Sequence, residues 1–117
     1  MKKRVIGLFI VLIVSSLYLG QIRQFPEYPG DPIGLHVNVV NNLRHRENDM
    51  RVEVYIYDLG LYAVSPRFDL PSNSKTSESI WLAVPENAQP GWYFTKISLM
   101  SDRKGRRDAE YRYVQVV

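Results

Sequence analysis

Residues 5–22, VIGLFIVLIVSSLYLGQI, run uncharged behind Lys2, Lys3 and Arg4, and no other feature limits so strongly what the chain can become. A helix of that length reaches about 27 Å, close to the ~30 Å hydrocarbon thickness of a bilayer. The run predicts a signal-anchor transmembrane helix over residues 1–23, with the basic cluster kept in the cytoplasm and the rest of the chain outside. A cleaved secretory leader is the alternative: a basic start, an apolar stretch over residues 5–14, and the small-residue site Val14-Ser15-Ser16. It predicts a secreted protein beginning near Leu17. A helix buried in a soluble protein is a third reading.

About 90 residues follow the run, enough for one small domain with a single core. The sequence pI of about 9.3 reflects the amino-terminal cluster. Setting Lys2, Lys3 and Arg4 aside leaves 12 basic residues against 12 acidic ones. A neutral domain does not suit a partner made of phosphates, so nucleic acid is not expected. Cysteine is absent, which excludes a disulfide framework, thiol catalysis, Cys-based zinc sites and lipid attachment through a cysteine.

Residues 24–32, QFPEYPGDP, carry three prolines and a glycine and predict a stiff linker. From residue 33 the hydrophobic period becomes two. Ile33, Leu35, Val37 and Val39 form one inward set, and Met50, Val52, Val54 and Ile56 a second. A less regular strand over residues 61–68 contains Pro66 and should break there or lie at an edge. Further strands are expected over residues 77–84, with Ile80, Leu82 and Val84 inward and Trp81 opposite, over residues 92–100, with Tyr93, Ile97 and Leu99 inward, and over residues 110–117. About six or seven strands with turn signals between them and no crossover helix predict an all-β, antiparallel sandwich over residues 33–117.

The stretch WLAVPENAQPGWYFTKISL adds a likeness. Val84-Pro85, a short loop, and Pro90-Gly91-Trp92-Tyr93 opening the next strand resemble immunoglobulin-like domains of the cell-adhesion-related and prokaryotic surface-protein type. The resemblance implies an immunoglobulin-like sandwich in which Tyr93 packs at a corner beneath the preceding loop.

Antiparallel succession gathers residues 42–49, 69–76 and 101–108 at one end, which the anchor reading places far from the membrane. That end carries Arg44, Arg46, Arg103, Lys104, Arg106 and Arg107, interleaved with acids, and is the candidate tip for a surface protein or polysaccharide. Tyr55, Tyr57, Trp81, Trp92 and Phe94 fall on the parity opposite the inward sets and form a candidate aromatic face for carbohydrate stacking or a protein interface. His36 and His45 lack companions at ligand spacing, and no nucleophile elbow or phosphate-cradling loop is present. The expectation is a non-catalytic binding or structural protein at the cell surface, without cofactor or metal, tethered by its amino-terminal helix and open to homo-oligomerisation. A filament or appendage subunit and a secreted carbohydrate-binding module are the alternatives.

Overall fold

The computed structural model describes residues 16–25, 28 and 30–117. Those residues form eight strands: β1 (Leu17–Gln24), β2 (Ile33–Asn41), β3 (Glu47–Ile56), β4 (Leu61–Val64), β5 (Phe68–Leu70), β6 (Ser74–Leu82), β7 (Gly91–Ser101) and β8 (Gly105–Val116). A single 3-10 turn, Tyr57–Leu59, follows β3 and is closed by Gly60 in the left-handed region. Two antiparallel sheets result, one ordered β1-β2-β6 and the other β4-β3-β7-β8, with β5 also paired to β3. This all-β sandwich is compatible with an immunoglobulin-like fold.

Period two builds the core as expected. Ile33, Leu35, Val37, Val39, Ile80 and Leu82 from one sheet meet Met50, Val52, Val54, Ile56, Ile97 and Leu99 from the other, all buried. Pro66 does break its segment, leaving β4 and β5 as separate short partners of β3. The last strand begins at Gly105, earlier than expected, so the β7–β8 connection is only residues 102–104.

The amino-terminal side differs from expectation. Residues 17–23, assigned to the spanning helix, lie in β1, which pairs with β2 from Leu17↔Asn41 to Gln24↔Leu35 around a bulge between Leu19 and Ile22. Leu19 is buried, and Ile22 packs against the core. Leu17-Tyr18-Leu19 reads equally as helix or strand from hydrophobicity alone, and the unsatisfied edge of β2 decides the matter. Of the remainder of the expected helix, Ser16 is not helical and residues 1–15 lie outside the described residues. Among the described residues no helix is long and apolar enough to cross a membrane.

The sandwich therefore starts at Leu17, and the proline-rich stretch connects β1 to β2 within it. Phe25 N–H donates to Gly34 O at 2.8 Å, continuing the ladder into that connection. β1 also meets β8 along one side of the sandwich through side chains. The Gln24 side-chain amide donates to Gln115 O at 2.7 Å and accepts from Gln115 N–H at 2.9 Å. Further along, Asp108 accepts the Leu19 N–H at 2.8 Å. Side chains thus occupy backbone groups that two open sheet edges would otherwise expose.

Strand directions gather residues 42–46, 71–73 and 102–104 at one pole, as expected from the succession of strands. Because β1 pairs Leu17 with Asn41, the start of the domain lies at the same pole, not at the opposite one. Residues 25, 28, 30–32, 57–60 and 83–90 occupy the other pole. There Tyr93 is half-buried and its hydroxyl donates to Gln89 O at 2.7 Å, the corner expected from the loop before it.

Candidate binding face

The outer side of the five-stranded sheet is covered by aromatic rings. Tyr62 on β4, Tyr55 on β3, Lys96 on β7 and Tyr111 on β8 follow one another across the sheet in register. Phe94↔Tyr113 and then Trp92↔Gln115 form the next two rows. Tyr57, in the turn beyond β3, lies parallel to Tyr55 with ring centroids 5.6 Å apart and planes within 6°. Phe94 and Tyr111 are likewise parallel, at 5.3 Å and 9°. Seven rings share this face, and Trp92 and Tyr113 are 64% and 65% exposed.

The aromatic set read from sequence is thus partly gathered. Tyr55, Tyr57, Trp92 and Phe94 belong to the face, whereas Trp81 lies on the outer side of the three-stranded sheet. There it stacks on Phe25 at 5.2 Å and 10°, with His36 edge-on to the same phenyl ring. Tyr62, Tyr111 and Tyr113 join the face without having been singled out. Tyr111 and Tyr113 were legible as the parity opposite Val114 and Val116; Tyr62 was hidden by the shortness of β4.

The edge of the face is polar. Arg51 donates to Glu53 at 3.2 Å and to Asp102 at 2.6 Å. Burial, and then the charge of Glu53, push the Tyr62 hydroxyl pKa up from its ordinary value. Lys96 makes no ion pair among the described residues.

Half of the basic pole is tied into the fold, through Arg46, Lys104 and Arg107. Glu47 is buried at 4% exposure, and Arg107 donates to it twice, at 2.9 and 3.1 Å. His45 and Lys104 add contacts at 3.1 and 3.5 Å. Burial pushes the Glu47 carboxyl up, but the hydrogen bonds from Arg107 and His45 and the charges of Arg107 and Lys104 outweigh it and hold it below its ordinary value. Arg46 is taken up by Asn48 and Asp69. Arg44, Arg103 and Arg106 remain exposed and unpaired among the described residues, too few to make a strong field beside Asp49, Asp69 and Asp102.

Among the described residues no group of three His, Asp or Glu is placed to hold a metal ion. Comparison with protein-family models and with curated proteins finds no match.

Proposed function

We propose that the chain is an exported, non-catalytic immunoglobulin-like module that recognises a partner of the cell surface through the outer face of its five-stranded sheet. The observation that carries this reading is the concentration of seven rings on one sheet face, far beyond the scattered apolar residues of an ordinary surface. Export is supported by Lys2, Lys3 and Arg4 ahead of an apolar stretch. With residues 17–22 in β1, the uncharged run left for that stretch is residues 5–16. As a helix it would reach about 18 Å, which is short for spanning a bilayer and ordinary for the apolar part of a leader. The module works as the leader-cleaved domain in this reading, in place of the retained anchor.

Fractionation of the native host tests it. The protein is expected outside the cytoplasmic membrane and retained by the envelope. A Trp92→Ala/Tyr111→Ala/Tyr113→Ala variant should wash free while melting near the wild-type temperature. A cytoplasmic protein, or a variant still retained, overturns the reading.

A further inference from the structure

The same face defines what class of partner it takes, an inference that rests on the reading above. Lys96 stands in the middle of the row, with Tyr55 on one side and Tyr111 on the other. Each of these tyrosines is fixed parallel to a neighbour, Tyr57 or Phe94. Two ring pairs, each already ordered, therefore flank a single ammonium group. Ordering them before binding lowers the entropic cost of binding.

A second copy fits this arrangement badly. A two-fold interface centred on the face would bring two Lys96 ammonium groups toward each other and desolvate both without a counter-ion. An apolar peptide would bury the same cation unpaired. A carbohydrate chain supplies what both lack: C–H faces of pyranose rings for the aromatic pairs, and hydroxyl oxygens that accept from Lys96 Nζ and from the tyrosine hydroxyls. The dimensions agree. Neighbouring strands lie about 4.8 Å apart, so Tyr62, Tyr55, Lys96 and Tyr111 span about 14 Å in a line across the sheet. One strand step is close to the advance of one sugar ring in an extended, ribbon-like glycan. An open sheet face also favours a ribbon over a coiled chain, which would meet it at isolated points.

We propose that this face binds an extended β-linked polysaccharide laid across the strands, with sugar rings stacked on the Tyr55/Tyr57 and Phe94/Tyr111 pairs and Lys96 donating to oxygens between them.

Native gel electrophoresis of the protein purified from its host, through gels containing soluble polysaccharides, provides the test. Mixed-linkage β-glucan and xylan serve as neutral β-linked probes, polygalacturonate as an acidic chain and glycogen as a coiled α-linked one. At least one β-linked chain should retard the protein. Tyr55→Ala and Tyr111→Ala should each weaken that retardation about tenfold, the scale of one aromatic stacking contact. Lys96→Met should weaken it less, and Trp81→Ala on the opposite sheet should leave it unchanged. Thermal melts of all variants near the wild-type value show that the fold survives. Absence of retardation by β-linked chains overturns the glycan assignment, as does retardation by glycogen or polygalacturonate alone. Retardation indifferent to Tyr55 and Tyr111 overturns it too. If the envelope retention described above still depends on the face, the partner is not an extended β-linked glycan and the broader reading stands. If retention is also indifferent, both fall.

Discussion

At Gly34 the fold leaves no space for a side chain. A Cβ there would lie 2.4 Å from Phe25 Cδ2 and 2.5 Å from Trp81 Cζ3, because both stacked rings cross over the glycine. Gly34→Ala should therefore cost about 1–3 kcal/mol in denaturant melts, the range for overpacking. In a Phe25→Ala/Trp81→Ala background the same change should cost less than half as much; an equal cost in both would sink the steric account. Asn41 is a second such position. Fully buried, it donates through Nδ2 to the carbonyls of His45, Leu70 and Pro71, and Oδ1 accepts the Leu43 N–H, so one side chain ties two loops together. Asn41→Leu leaves those buried groups unsatisfied and should lower stability by about 2–3 kcal/mol, measured by thermal melting. Neither role was legible in the sequence. Gly34 reads only as the polar phase of an alternating strand and Asn41 only as a turn residue, since each is defined by partners distant along the chain. The inward residues of β2 and β3 were legible because a period of two is a local property.

Among the elements, the β7–β8 hairpin departs furthest from its expected length. Arg106, Arg107 and Asp108 look like loop residues by composition, yet Asp108 caps the Leu19 N–H and Arg107 pairs with Glu47 across to β3. A pair of neighbouring substitutions separates the two kinds of arginine: Arg107→Ala should cost about 2 kcal/mol, while Arg106→Ala should lie within about 0.5 kcal/mol of wild type. The pH dependence follows in sign. The Glu47 carboxyl has a folded-state pKa below its ordinary 4.5, so its contribution is present above that value and is lost as pH falls through the lower folded-state one. Glu47→Gln should be less stable than wild type at neutral pH, with the gap in melting temperature closing below about pH 4.5. On β6 the sign reverses. Glu78 lies on the inward parity with Ile80 and Leu82, and burial pushes its carboxyl up. Its ionised form opposes folding at neutral pH, so Glu78→Gln should raise the melting temperature there, and that advantage should vanish as pH falls below its ordinary 4.5. A Glu78→Gln melt equal to wild type at pH 7 would show that the side chain escapes to solvent.

For the whole molecule, the decisive element is β1, since it sets both where the domain begins and which pole faces the preceding residues. The Gln24 and Asp108 contacts to β8 and β1 close the sandwich along one side, and Leu19 adds to the core. Removing residues 17–24 should therefore prevent folding, although the alternating strands that announce themselves in the sequence start at residue 33. Soluble, cooperatively melting protein from a chain beginning at Ile33 would refute that dependence. The same geometry bears on processing. Ser16 O accepts the Asn42 N–H at 2.8 Å beside the expected cleavage position; cleavage before Leu17 removes that one bond and leaves the Leu17↔Asn41 to Gln24↔Leu35 pairing intact. Intact mass of the exported protein should correspond to a chain starting at Leu17, and Ser16→Leu, which spoils the small-residue site, should hold a full-length precursor in the membrane. A wild-type protein recovered at full length and only with detergent would restore the anchor. Leu17 would then hold the basic pole against the lipid surface, so that Arg44, Arg103 and Arg106 meet headgroups while the aromatic face, running along the side of the sandwich, stays accessible. Recognition through the sheet is compatible with either mode of attachment, whereas recognition by the basic pole requires release.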